Sequence, residues 1–533
     1  MPITPTYPGV YIEEIPSGVR TITGVATSIT AFIGRALKGK VDEPIRIQNF
    51  GDFVRQFGGL WNKSTMSYAV QQYFINGGQD AIIVRVHKDA KSAKISFKPV
   101  PASGGSNASN QTPNLELEAA SPGQWGNALR AKVDHNTRKS GNNEEDAKLF
   151  NLTVQQLEAP GSDQVAAVET LRNLSIDPDS ARFYKKVIEQ ESNLVNVPED
   201  ASDITARPNE TDDFVNASNN TGSDGEDITD AEISDEGLKA DRKGLYALDK
   251  ADLFNLLCIP PLTRSQDIGL DTTVAKAAKY CKDKRAFLIV DPPSTWNKIP
   301  DAVAGVDSLR SAIGADLSTN AAVYFPRLKM ADLLKENRTE EFVPCGAIAG
   351  IFARTDSQRG VWKAPAGIEA SVVGVRELSY KMTDGENGQL NPLGVNCIRN
   401  FPVYGNVTWG SRTLAGADQL ASEWKYVPVR RLALYLEESL YRGTQWVVFE
   451  PNDEPLWSQI RLNIGAFMNN LFKQGAFQGK TPKEAYFVKC DSETTTQYDI
   501  DRGIVNIVIG FAPLKPAEFV ILKFQQMTRE SAA

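Results

Sequence analysis

LFNLLCIPPL, residues 253–262, is an apolar run that ends in prolines, and AFLIVD, residues 286–291, is a second that runs into Pro292 and Pro293. Both read as strands, the second as a buried one. Residues 272–282 between them keep helical spacing. Residues 299–313 do the same before 321–324 reads as a further strand. Strand, helix, strand, helix, strand at this spacing predicts mostly parallel pairing, with the helices as crossovers.

The rhythm extends towards both ends of the chain. Residues 25–35, VATSITAFIGR, read as a buried strand. Residues 41–50 hold a short strand that turns into a helix at 51–57. A helix over 65–76 is stopped by Gly77-Gly78, and 81–86, AIIVRV, is a strand. In the last third the clearest helices are 432–441 and 457–474. Trp457, Ile460, Ile464, Phe467, Leu471 and Phe472 keep a helical period in the second. GIVNIVIGFA, residues 503–512, is a strand. After Pro513 and Pro516, AEFVILKFQQM reads as another.

Residues 95–250 break the pattern. Residues 99–114 are rich in Pro, Ser, Gly and Asn, and 196–237 are polar and acidic, a composition expected to be mobile or peripheral. The strand 149–157 and a helix near 181–191 lie among them. The net charge is +4 for 1–94, −13 for 95–250, 0 for 251–345 and +1 for 346–533, so the acidity belongs to one inserted, solvent-facing segment. No basic stripe for nucleic acid is present.

TYPGVYIEEIPSGV, residues 6–19, is a strand-like run bracketed by Pro8 and Pro16 with no local partner. The chain thus begins and ends on proline-bracketed strands. Its 533 residues allow several cores, and no apolar run approaches a membrane span. The opening MPITPTYPG has no basic n-region or apolar h-region, so no secretory signal is expected. Five widely spaced cysteines read as reduced thiols rather than a disulfide frame or zinc site. Only His87 and His135 are histidines, and both read as ordinary surface or strand residues.

No catalytic, metal or cofactor-binding residue is assigned. GRALKGK, residues 34–40, fits the first seven positions of a phosphate-binding loop, but Val41 replaces the hydroxyl that would hold Mg²⁺, and a loop with Pro44 follows instead of a helix. A strand-to-loop turn is the better reading. GAFQGKT, residues 475–481, is discounted for its short glycine spacing. Asp291 stands where αβ enzymes place catalytic groups, but without an evident partner it reads as a turn residue.

One ordered series of motifs carries more. It comprises TDSQRGVWKAPAG (355–367), GNVTWGSRTL (405–414), WKYVPVRR (424–431), FEPN (449–452), GAFQGKTPKEAYFV (475–488), TTT (494–496) and GFAPLKPAEFVI (510–521). Together with the opening YPGVYIEEIPSG (7–18), it closely resembles the tail sheath proteins of contractile phages and related contractile injection systems. The likeness covers roughly residues 1–90 and 345–525, is weaker over 251–345 and is absent over 95–250.

The resemblance implies a mixed α/β (α+β) multidomain sheath protein without enzymatic activity. Its expected parts are an N-terminal β-arm (1–24), the N-terminal part of an αβ core (25–94), the inserted acidic surface domain (95–250), a middle αβ domain (251–345), a C-terminal sheath domain (346–515) and a C-terminal β-arm (516–533). It implies six-fold helical rings of this chain around an inner tube protein, with baseplate and terminal cap proteins as further partners. It implies neither nucleic acid contact nor membrane insertion. The sleeve would be assembled in the bacterial cytoplasm as part of a phage tail or injection particle, and its contraction would drive the tube through a target envelope.

The arms would be exchanged between copies, through Tyr7, Val10, Tyr11, Ile12 and Ile15 at one end and Phe519, Val520, Ile521, Leu522 and Phe524 at the other. The C-terminal domain would face the tube, with Arg461, Asn469 and Lys473 as candidates. Arg430 and Arg431 read rather as ion-pair partners inside the domain, and GVWKAPAG as a packed supporting loop. Two alternatives stand beside this reading: a nucleotide-dependent αβ enzyme binding at Lys40, and the large sheath subunit of a type VI secretion system. Both terminal arms and the whole core in one chain favour the phage-like or extracellular type over the latter.

Overall fold

The computed structural model describes residues 20–100, 113–139, 141–218 and 221–524. Its centre is one eight-stranded sheet. In chain order the main elements are β1 (Thr30–Gly34), β2 (Ile45–Ile47), α1 (Phe50–Phe57), α2 (Thr65–Ile75), β3 (Ala81–Arg85), β4 (Leu256–Cys258), α3 (Ala275–Asp283), β5 (Phe287–Val290), α4 (Ile299–Ile313), β6 (Ala321–Phe325), α5 (Cys345–Arg359), β7 (Val395–Phe401) and β8 (Gly405–Thr408). The spatial order is β8-β7-β6-β5-β4-β1-β3-β2. The six central strands are parallel, and β2 and β8 close the edges antiparallel. The parallel pairing expected from the strand–helix rhythm is therefore present, and strands more than 170 residues apart, β3 and β4, flank the same β1.

Side-chain alternation along these strands feeds two cores. Ala31, Ile33, Leu257, Leu288 and Val323 meet α3 and α4 on one face. Phe32, Ile83, Leu256, Phe287, Ile289 and Tyr324 meet α2 and α5 on the other. With both faces covered, the strands carry the near-continuous apolar runs seen in the sequence. Helices α2 and α5 touch backbone to backbone. A Cβ on Gly346 would lie 2.0 Å from the Ala69 carbonyl oxygen, and one on Gly350 2.4 Å from that of Tyr73.

The insertion has its own core, in which Ile95, Leu117, Leu152, Val154, Leu174 and Ile188 pack between small antiparallel sheets. The acidic stretch within it is more embedded than its composition suggests. Ile204 and Ala217 are buried in that core, while Ile228, Ile233, Leu245 and Leu248 pack on the large sheet. Sparse apolar residues dock into cores built by other segments, and carboxylates pair with the sheet domain: Asp227 with Arg35 at 2.6 Å and Asp224 with Lys63 at 3.5 Å.

A third unit follows. It contains α6 (Val427–Gly443), α7 (Glu454–Lys473) and a hairpin of β9 (Tyr486–Lys489) and β10 (Val508–Phe511). Leu432, Leu436, Trp457, Ile460, Ile464, Phe467 and Leu471 form its core. The strand expected over 503–512 is shorter, confined to β10. Residues 514–524 form no strand within the chain.

Candidate functional site at the C-terminal unit

The crevice beside β1 and β4, where a doubly wound sheet of this order would take a ligand, is occupied by the chain itself. Arg35 is buried there and donates to Asp227 Oδ1 (2.6 Å) and to the Asp224 carbonyl (3.2 Å). After Lys40 the chain forms a bridge to Arg85 and enters β2, not a helix. Lys40 is exposed and lies 3.5 Å from Glu43. The loop therefore offers phosphates no helix N-terminus, which removes the geometric basis of the nucleotide-enzyme alternative.

Asp291 at the end of β5 is not a free turn residue. Its Oδ1 accepts the N–H of Cys345 (2.9 Å), the first residue of α5. Burial pushes its pKa up to about 7. An unfolded Asp titrates near 4, so the native state resists ionisation and loses stability as pH rises between about 4 and 7. Asp291→Asn is expected to gain stability over the parent across that window, by up to about 4 kcal/mol at the ceiling set by the shift. Denaturant midpoints at pH 5 and pH 8 check this: the gain must be larger at pH 8.

Tyr7, Val10, Tyr11, Ile12 and Ile15, expected in the N-terminal arm, lie outside the described residues. The segment that follows them is a strap along α6. The Arg20 N–H bonds Asn463 Oδ1 (3.0 Å), and its guanidinium stacks 4.5 Å over Trp446. Ile22 is buried against Gly443, where a Cβ would come within 2.6 Å of it. The Val25 N–H bonds Ser439 Oγ (3.2 Å), and Arg431 donates to the Thr27 carbonyl (2.8 Å). Arg431 also makes a bidentate pair with Asp356, both side chains buried, and Arg430 bonds Asn320 and Glu437. The pairs with Asp356 and Glu437 are ion pairs inside the C-terminal part of the chain, as expected from the sequence, while the bonds to Thr27 and Asn320 tie α6 to other segments.

At the other end, β10 finishes its ladder where the Ala512 N–H meets the Ala485 carbonyl (2.8 Å). The chain then arches over a cavity of about 940 Å³ lined by Trp362, Arg399, Trp409, Tyr426 and Phe519, so part of GVWKAPAG forms a cavity wall. It returns to the body at Glu518. Arg412 grips this carboxylate with Nε to Oε1 and Nη2 to Oε2, both 2.7 Å; Asn391 Nδ2 (2.8 Å) and the Tyr426 hydroxyl (3.1 Å) complete the cradle.

Arg412 is itself buried and also bonds the Asn391 carbonyl and Asp418. Its backbone is fixed on both sides by Asn396 of β7. Burial would raise the Glu518 pKa, but these donors outweigh it and hold the carboxyl below its ordinary value. Immediately beyond, Phe519, Val520, Ile521, Leu522 and Phe524 are each at least 71% exposed. Glu518, Arg412, Asn391 and Tyr426 were not singled out by sequence reasoning. Arg412, Tyr426 and Glu518 lie inside quoted motifs, yet nothing in the linear order says that they meet.

Of the tube-facing candidates, Lys473 is exposed in the last turn of α7, while Asn469 and Arg461 are half-buried. Arg461 is engaged within the unit, donating to the Cys490 carbonyl and to Glu454. The five cysteines are buried and free. Among the described residues, no helix is long and apolar enough to cross a membrane, and no cluster of potential ligands could hold a metal ion.

A doubly wound sheet with its crevice filled by the chain itself, joined to a unit of two long helices and a hairpin, makes this a mixed αβ protein of several sheets. Residues 221–414 match the family model of the phage tail sheath protein central domain, and 420–527 that of the phage tail sheath C-terminal domain. Together these take in more than half of the chain, which belongs to the phage tail sheath family.

The tail sheath protein of Vibrio phage KVP40 is 27% identical over 297 residues, 52% of this chain and 42% of that protein. A putative prophage major tail sheath protein of Pseudomonas aeruginosa is 25% identical over 294 residues, 54% of this chain and 70% of that protein. The match thus spans less than half the length of the Vibrio phage relative. Among solved structures, the sheath complex of the extracellular contractile injection system PVC, in its contracted state, aligns over 99% of both chains with a TM-score of 0.56 and 23% identity. The helical sheath of the anti-feeding prophage, also contracted, aligns over 98% of this chain and 100% of its own with a TM-score of 0.55.

Proposed function

We propose that this chain is the structural, non-catalytic subunit of a contractile tail sheath. It polymerises as six-fold helical rings around an inner tube and contracts to drive the tube through a target envelope. The observation that carries the reading is the apolar stretch from Phe519 to Phe524, rooted on the body by Glu518 and exposed along its described length beside a hairpin of only two strands. Such a hairpin is marginal alone, and its open edges can accept added strands. The N-terminal and C-terminal arms of neighbouring copies fill those edges, with Pro8 and Pro16 limiting the first added strand. Linked this way, subunit bodies change pitch and radius as rigid bodies while the linkage persists.

The division into arms, αβ core, insertion and C-terminal domain follows from the same reading, with the charged insertion on the outside. The tube lies against the C-terminal domain, at α7 with Lys473, Asn469 and Arg461. Baseplate and cap proteins bind the sleeve ends, and assembly occurs in the bacterial cytoplasm. Negative-stain electron microscopy of the purified full chain tests the proposal. Rings or sleeves are expected as concentration rises, and a persistent monomer would overturn it.

A further inference from the structure

The cavity under the C-terminal arch has walls of two kinds. One is aromatic: Trp362, Trp409, Tyr426 and Phe519 line it, and Trp409 is braced by Phe401, with ring centroids 4.7 Å apart. The other is polar and short of partners. Arg399 and Ser411 line the cavity and are each more than nine-tenths buried, yet Arg399 Nε and Ser411 Oγ make no hydrogen bond, and neither does Asn387 Oδ1 on the same lining. Native proteins leave few buried polar atoms unpaired, and three on one cavity point to a ligand that brings both acceptors and donors. The charges are already engaged. Arg359 pairs with Glu369 (3.0 Å), Arg399 with Asp384 (2.5 Å) and Glu518 with Arg412 (2.7 Å), and Lys363 bonds the Ala364 carbonyl (3.0 Å). Among the described residues this leaves Lys515 as the lining cation without a partner. Such a lining suits an uncharged peptide better than a phosphate.

We propose that this cavity receives residues 2–8 of a second copy of the chain, bound as a polyproline helix. Pro2, Pro5 and Pro8 recur every third residue, and no other stretch of the sequence holds three prolines at this spacing. A polyproline helix has three residues per turn and no internal hydrogen bonds, so the three rings fall along one edge and the backbone stays free to bond outward. Aromatic-lined grooves take proline-rich segments in this form. Here Trp362, Trp409 and Tyr426 take the rings, Arg399 Nε and Ser411 Oγ donate to carbonyls between them, and Asn387 Oδ1 accepts an N–H. Residues 1–12 hold no charged side chain, which matches a lining whose charges are largely paired. The position fits as well. β10 ends at Phe511, and the arch that roofs the cavity follows at once, with Leu514 and Pro516 in its lining. A strand over 10–15 added antiparallel to β10 delivers Pro8 to that end. The second copy as source rests on the arm exchange proposed above.

A synthetic peptide of residues 1–9, labelled with fluorescein at its C-terminus, tests the site by anisotropy with the full-length chain held below its assembly concentration. Saturable binding is expected. Pro5→Ala with Pro8→Ala in the peptide, or Trp409→Ala in the chain, should each weaken it at least tenfold. No saturable binding, or binding indifferent to the proline changes, overturns the proposal. The same titration on a chain lacking residues 1–9 identifies the source: binding seen only there means that each chain fills its own cavity, which overturns the second-copy assignment. In assembly, the full-length chain carrying Pro2→Ala, Pro5→Ala and Pro8→Ala should need at least tenfold more protein to form sleeves, measured by sedimentation and microscopy. Deletion of residues 1–16 runs in parallel. Normal sleeves after that deletion refute arm exchange, whereas loss of sleeves there with an unchanged critical concentration for the proline variant refutes only the docked prolines.

Discussion

Deletion of residues 519–533 is expected to leave a folded subunit that no longer forms long sleeves, and deletion of residues 1–16 is expected to do the same. The described part of the C-terminal stretch contributes little to the subunit: Phe519 to Leu522 and Phe524 are exposed and make no backbone ladder within the chain. Stability, followed by denaturant midpoint, should therefore change by no more than about 0.5 kcal/mol, the range of surface changes away from special features. In the polymer the same residues would bury their side chains and main-chain groups on another copy. Burying five large apolar side chains is worth about 1.5–3 kcal/mol each before the ordering cost is met. Sedimentation and microscopy of the truncated chains decide the matter: sleeves of parental length at parental concentration would refute arm exchange.

Arg412→Ala is the second large effect. It removes the fork that holds Glu518 and leaves that carboxylate largely buried against Asn391 and Tyr426 without its counter-charge. Breaking a buried pair by removing one partner typically costs 3–5 kcal/mol. Glu518→Ala should cost less, about 2–3 kcal/mol, because Arg412 keeps Asp418 and the Asn391 carbonyl.

Both changes should free the root of the arm, so that chymotrypsin cuts after Phe519 at least tenfold faster. Unchanged cleavage would mean that the carboxylate does not fix the root. Arg412→Lys, which keeps the charge but not the bidentate geometry, should fall between. Since the folded carboxyl titrates below its ordinary range, the contribution of the clamp is complete above the ordinary Glu pKa and is lost only as pH falls through the lowered one. The arm root should therefore stay seated in neutral and mildly acidic solution.

Much of the body was legible in the sequence because it depends on short-range pattern. Strands covered on both faces must be apolar throughout, so the run of β4, β5 and β6 with α3 and α4 between them announced a parallel sheet. Helix α4 has the bounds its periodicity predicts, Ile299–Ile313. The apolar stretch after Pro516 reads as a strand from its composition, but residues 514–524 form none within the chain. In 196–237, by contrast, net charge and low apolar content hid the few residues, Ile204, Ala217, Ile228 and Ile233, that fasten the segment to cores built elsewhere.

The sequence by itself determined the alternating αβ body, the separate character of the insertion, the apolar character of the C-terminal stretch and the ordered motifs of the sheath family. Only the tertiary structure decided that Asn391, Arg412, Tyr426 and Glu518, spread over 127 positions, meet at one carboxylate, and that Arg35 and the 224–227 segment close the crevice of the sheet. The reason is physical. Periodicity records how each residue meets its own element's buried face, a constraint repeated every few residues. A charge pair between distant loops is set by where rigid elements end in space and leaves no period in the chain.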